Sequence, residues 1–254
     1  MEGLSFNSYR LRDQVLYHVY TEKFSPLFST GHGQPTNSWF NNSGLGVRRF
    51  DPVYDVQGRI IPSFYAAFTD LVALGESIIR QPSSLTNGTA NNREHDEHIT
   101  STNLVNTLTW RPETPLQQQQ GLTKGIAQFI PNRELTLIDL ETVQTPDGNR
   151  PLQTWLKQGE QTFPALHVVS NWFAQRFLDH DGLTWNGMNL GRLNRGGSQS
   201  SISGERGLML FGDRVTSSDL RLLSHQPLNS APCLDQIRNV VRPLNVIPPE
   251  WLIR

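Results

Sequence analysis

Three side chains in the first third of the chain have types that can grip an anion, wall off a flat ring and present a carboxylate: Arg49, Tyr65 and Glu76. Arg49 follows Arg48 and precedes Phe50, just after a segment rich in Gly, Pro and Asn (24–47). Loops of that length in a compact domain are usually functional or mobile. A guanidinium placed there can hold a phosphate or pyrophosphate through paired N–H bonds. The plainer reading is a surface cation or a structural ion pair. Tyr65 falls in the apolar run IIPSFYAA (60–67). It is either core packing with a satisfied hydroxyl or an aromatic wall for a ring-shaped ligand. Glu76 lies beside the helical stripe Leu71, Leu74 and Ile78. Carboxylates are rarely buried unpaired, so Glu76 either pairs with Arg80 one turn on or faces a cleft.

Other chemistry-bearing residues are less persuasive. His95-Asp96-Glu97-His98 puts two imidazoles and two carboxylates in four residues. Its Asn-rich surroundings favour a solvated loop over the convergent ligands that a metal needs, so no metal is expected. The Gly-rich stretches match neither phosphate-loop pattern, and no G-x-S-x-G elbow is present. His167 and His180 lack a spaced nucleophile. Cys233 is the single cysteine; it has no disulfide or metal partner and reads as an idle thiol.

These residues must be positioned by a chain of 254 residues with net charge −1, 36% hydrophobic and only 18% charged. That length suffices for a core without staples. The charge supplies no global field for nucleic acid or anionic lipid. No apolar run approaches the ~20 residues of a membrane helix, and the N-terminal residues lack the apolar core of a signal peptide. With one cysteine, the expected compartment is a reducing cytoplasm. Strands are predicted at 15–20, at 60–67 (short, or starting at Ser63 because of Pro62), near 103–110, at 133–143, 183–185, 207–213 and 220–224. Helices are predicted at 71–80, with Thr69 or Asp70 as N-cap, and at 164–178. Residues 82–132 read as a polar insertion. Crossovers long enough for repeated βαβ units are few. The pattern implies one α+β domain over 1–254, with a mainly antiparallel sheet and short flanking helices.

The run RRFDPVYDVQGRIIPSFYAAFTDLVALGESIIR (48–80) resembles the core of the RES-domain family. An Arg and an aromatic residue precede a turn, a strand ending in an aromatic-Ala pair, and a helix with a single Glu. RELTLIDL (133–140), HDGLTWNG (180–187) and GLMLFGDRV (207–215) follow in the family's order. The resemblance covers about 16–80 and 133–225. It implies an ADP-ribosyltransferase-like fold and an NAD+-consuming toxin of the RES–Xre toxin–antitoxin type, with a helix-turn-helix antitoxin as partner. It also implies that Arg49 anchors the pyrophosphate, aided by Arg48, that Tyr65 packs on the nicotinamide, and that Glu76 stabilises the ribose as the glycosidic bond breaks. The family's Ser falls near Asn186-Gly187, so Asn186 is its substitute as a ligand contact. The family often has an Arg in the first strand, where His18 stands here. These two departures keep a second expectation open: a catalytically degenerate RES-like domain that binds a nucleotide or a partner protein.

Overall fold

The computed structural model describes residues 5–21, 52–80, 107–108, 110, 114, 123–144, 171, 173–175, 184–191, 207–242 and 249–253. Among them, β-branched and aromatic runs form β1 (Ser5–Leu11), β2 (Leu16–Thr21), β3 (Val53–Tyr54), β4 (Ile60–Ile61) and β5 (Ser63–Ala67). Helix α1 (Asp70–Ile78) comes next, then β6 (Ile79–Arg80), β7 (Thr107–Leu108), β8 (Lys124–Pro131) and β9 (Leu135–Gln144). The last elements are β10 (Trp185–Gly191), β11 (Gly207–Phe211), β12 (Leu220–Pro227), α2 (Ala231–Val241) and α3 (Glu250–Ile253). Eight strands make one sheet in the order β1-β9-β10-β11-β5-β2-β8-β12. Every pairing in it is antiparallel except β9 with β10. The expected α+β class with a mainly antiparallel sheet is therefore what the chain forms.

Alternation sends side chains to two faces. One face carries Leu16, Phe64, Phe129, Leu137 and Leu210, all fully buried. The sheet curls on this side: the Tyr9 ring on edge strand β1 lies 5.8 Å from the ring of Phe68, just beyond β5. The opposite face is covered in two halves. Phe173, Trp185, Met188, Met209 and Phe211 fill one. Helices α1, α2 and α3 fill the other through Leu74, Ile78, Cys233, Ile237 and Leu252. Burying an aliphatic side chain of this size contributes roughly 1.5–3 kcal/mol.

Of the register shifts in the sheet, two with one extra residue, in β10 and in β12, bear on the side chains considered below. In β10, Trp185 pairs with Thr136 and Gly187 with Leu137, so Asn186 is surplus. The Asn186 side-chain oxygen accepts the Thr136 N–H at 2.9 Å in the interior, satisfying a buried backbone donor. In β12 the register shifts between Leu222 and Ser224. Leu223 is pushed outward, 42% exposed, and His225 is brought opposite Ala127. Bulges of this kind re-aim side chains.

Several boundaries differ from expectation for local reasons. Residues 124–131, expected within the polar insertion, form β8 inside the sheet, flanked by β2 and β12, with burial alternating from Ala127 onward. The strand expected at 183–185 starts at Trp185 and runs through Gly191, its small residues tolerated by close neighbours. Helix α1 stops at Ile78 because Ile79 and Arg80 pair with Leu108 and Thr107. Strand β1 and helix α2 carried weak periodic signals. Pro232 near the start of α2, with Cys233, Ile237, Val240 and Val241 on its buried face, explains that helix in retrospect. Of the helix expected at 164–178, residues 171 and 173–175 are described, with the Gln175 N–H donating to the Asn171 carbonyl at 3.0 Å. The rest lies outside the described residues.

Gly187 sits where β10 crowds β11. A Cβ there would run into the Met209 carbonyl oxygen and lie 2.9 Å from Leu210 Cα. Both are backbone atoms and cannot swing aside. Gly187→Ala is expected to lower the unfolding free energy by about 2–4 kcal/mol, read as a drop in the urea midpoint.

Candidate functional site

Tyr65 occupies the centre of β5, paired with Met209. Its half-buried ring packs against the cluster that holds Phe173, Trp185 and Phe211. Only two residues separate the end of β5 from α1, so Tyr65 and the helix bearing Glu76 form one short strand–helix unit. Thr69 caps that helix: its hydroxyl accepts the Val72 N–H at 3.2 Å and its carbonyl the Ala73 N–H at 3.1 Å. The position of Glu76 on α1 is thus set, while its side chain lies outside what is described. Arg48 and Arg49 also lie outside the described residues, as do His95, Asp96, Glu97 and His98. Asn186 is buried, 3% exposed, with its oxygen engaged by the β10 bulge.

His18 reaches Tyr65 from the neighbouring strand. Its Nδ1 stands 2.6 Å from the Tyr65 carbonyl oxygen, and its ring lies over Phe64 at 4.5 Å. A carbonyl only accepts, so Nδ1 carries the proton and the tautomer is fixed. The first-strand position singled out by the sequence and the strand of Tyr65 are therefore coupled directly.

Two further constellations were not anticipated. On the curled face, Tyr20 lies opposite Gly125. A Cβ on Gly125 would sit 2.5 Å from Tyr20 Cζ, so the glycine makes room for the ring. The Tyr20 hydroxyl thereby comes within 3.4 Å of His225 Nδ1. No sequence signal marked it, because residues 82–132 read as a polar insertion with no strand at 124–131.

The second is a cleft of about 550 Å³ between the β3–β4 hairpin, the 171–175 turn and the 212–214 turn. Its walls include Ile60, Ile61 and Ala174; Asp55 and Asp213 face it. Three cross-links fix its shape. The Tyr54 N–H donates to Asn171 Oδ1 at 2.6 Å, the Gly212 N–H donates to the Pro62 carbonyl at 2.6 Å, and Arg214 donates to the Ala174 carbonyl. Arg214 is buried, its side chain 2% exposed. It also donates to the Trp185 carbonyl at 3.1 Å and lies over the Phe211 ring at 4.9 Å. Burial holds its pKa below the ordinary arginine value, opposed by Asp213. Burial pushes the Asp213 carboxyl above the usual range, and the Arg214 Nε at 3.4 Å offsets this only in part. Asp55 adds a like charge that pushes the same way.

Cys233 is fully buried between α1 and α2. Burial pushes its thiol up to about 11, which leaves it protonated and inert at neutral pH. Among the described residues no group of three or more His, Cys, Asp or Glu could hold a metal. None of the described helices is long and apolar enough to cross a membrane.

No protein-family model matches the chain, and no curated protein matches it. The crystal structure of the M. tuberculosis MbcT–MbcA toxin–antitoxin complex is similar to it over 93% of this chain and 91% of that chain, at 12% identity and a TM-score of 0.41. A likeness at that level carries no argument about activity.

The raised Asp213 carboxyl costs stability whenever it is ionised. That cost is present above its folded-state pKa and vanishes as pH falls below the unfolded value. Asp213→Asn is expected to be more stable than the parent at pH 7, with the gain fading toward pH 3. Paired urea titrations across that range check it. The Cys233 thiol is expected to resist iodoacetamide at pH 8 until denaturant unfolds the chain, as followed by intact mass.

Proposed function

We propose that the protein is an NAD+-consuming enzyme of ADP-ribosyltransferase-like type that cleaves the nicotinamide–ribose bond. One observation carries this reading. The segments that resemble the RES family are scattered over about 200 residues of sequence, yet the strands that they contribute to the eight-stranded sheet, β9, β10, β11, β5 and β2, are contiguous, with β3, β4, α1 and β6 of the 48–80 run outside it. A chance collection of strand-like runs has no reason to assemble side by side.

In this reading NAD+ is held with its pyrophosphate on Arg49, aided by Arg48, and its nicotinamide against Tyr65. Breaking the C1′–N bond sends the electron pair onto the pyridinium nitrogen, so nicotinamide leaves neutral and positive charge develops on the ribose. The Glu76 carboxylate stabilises that charge and fixes the ribose hydroxyl. Water, phosphate or a protein side chain then attacks C1′ and loses its proton. Holding pyrophosphate and ribose together makes the step effectively unimolecular. The protein acts in the cytoplasm as a toxin, and a helix-turn-helix antitoxin of the Xre type restrains it.

A second reading is favoured by Asn186. Its oxygen is committed to the Thr136 N–H, which makes it a poor stand-in for a ligand-binding serine. On this reading the chain is a degenerate RES-like domain that binds a nucleotide or a partner without turning it over. Such a domain shows nucleotide-dependent thermal stabilisation and no NAD+ loss.

Purified protein is expected to consume NAD+ and release nicotinamide, with Glu76→Gln slower by on the order of 10²-fold or more. Chromatographic product identification on both proteins checks this. Equal turnover by the two would remove Glu76 from the mechanism, and no turnover by the parent would leave the binding reading.

A further inference from the structure

Three of the four large hydrophobic side chains exposed among the described residues are on one hairpin: Tyr54 at 37%, Val56 at 67% and Ile60 at 40%. A scattered exposed apolar residue needs no explanation, but a cluster marks an interaction surface. Val56 and Ile60 of this cluster line the cleft that Asp213 faces, together with Arg59. We propose that the cleft docks a segment of a partner protein that inserts one arginine, flanked by apolar residues, against Asp213.

The charge arrangement selects the inserted residue. Of the two carboxylates facing the cleft, Asp55 is already engaged. It takes the Arg59 Nε at 2.6 Å and the backbone N–H groups of Gln57 and Arg59 at 2.9 and 2.8 Å. Among the described residues, Asp213 pairs with the Arg214 Nε at 3.4 Å and takes its own backbone N–H. The Arg214 terminal nitrogens turn away, donating to the carbonyls of Trp185 and Ala174. Asp213, its side chain 27% exposed, therefore retains acceptor capacity toward the cleft, and partial burial raises its carboxyl. An incoming guanidinium matches a carboxylate in bidentate fashion, and its aliphatic stem packs along Ile61 and Ala174. Apolar neighbours on the partner then cover Val56 and Ile60. An apolar rim around an arginine anchor is the usual composition of a binding hot spot.

The hairpin is rigid enough to serve. Val53 and Ile61 are buried at 1% and 3%, and the Asp55–Arg59 pair closes the turn, whose Gly58 adopts φ 75°. Little ordering remains to be done on binding. The inference does not depend on what the chain does to NAD+.

The test uses the full chain and a capped peptide, Gly-Leu-Arg-Leu-Gly, against the same peptide with neutral citrulline for arginine, titrated by calorimetry at low salt. The arginine peptide is expected to bind with a Kd on the order of 1 mM, and the citrulline peptide about tenfold more weakly or worse. Asp213→Asn should bring the arginine peptide to the citrulline level. Ile60→Ser, an exposed change that leaves the fold alone, should weaken both. Added salt should weaken only the arginine peptide. Equal affinity of the two peptides for the unmodified protein overturns the proposal without recourse to any variant. So does failure of the arginine peptide to bind at about 10 mM, or an unchanged affinity in Asp213→Asn.

Discussion

The sheet depends on the parallel seam between β9 and β10. Strand β1 pairs with β9 alone, so this two-stranded edge joins the remaining six strands only through β10. The backbone is irregular at this seam. The extra residue in β10 would strand the Thr136 N–H in an apolar interior, at a cost of about 1–3 kcal/mol. The Asn186 oxygen supplies the missing acceptor, and Gly187 lets β11 approach from the other side. The residue that the family resemblance offered as a ligand contact therefore has a structural duty at the join.

The legible parts of the fold were those with strong local patterns. The run at 60–67 breaks at Pro62 as read, with β5 starting at Ser63. Helix α1 carries its apolar stripe where the spacing put it, with Leu74 and Ile78 fully buried. The buried strand at 207–211 stood out through unbroken hydrophobicity. What escaped was set by partners distant in sequence. Strand β8 begins with Lys and Gly after a polar stretch, and becomes a strand because β2 and β12 flank it. The cleft is assembled from three short segments held by single hydrogen bonds, and no window of sequence contains it. Of the proposed catalytic trio, Tyr65 is described in full and Glu76 by its place on α1. The coupling of His18 to the Tyr65 carbonyl followed from no motif.

Arg214 shows how one buried cation can organise a region. Its guanidinium joins the 171–175 turn to β10 and rests on an aromatic ring of β11. Removing a buried charge from such a network leaves carbonyls unpaired as well as a cavity. The neighbouring carboxylate then carries a dual burden, as a weak counter-ion to the clamp and as the polar floor of the cleft. Groups held at a cost in stability are drawn disproportionately from functional surfaces.

The surplus residue in β12 has a wider implication. A ribbon with two distinct sides has a parity, and one added link inverts everything downstream. Leu220 and Leu222 contribute to the hydrophobic side before the shift, and His225 takes that side after it. Excising a single codon at position 223 would thus remove the bulge and keep His225 opposite Ala127, whereas an unbulged ladder through Leu223 would bring the Ser224 hydroxyl there instead. A homologous chain shorter by this one residue would present the same imidazole there, on a strand with less local bend and twist.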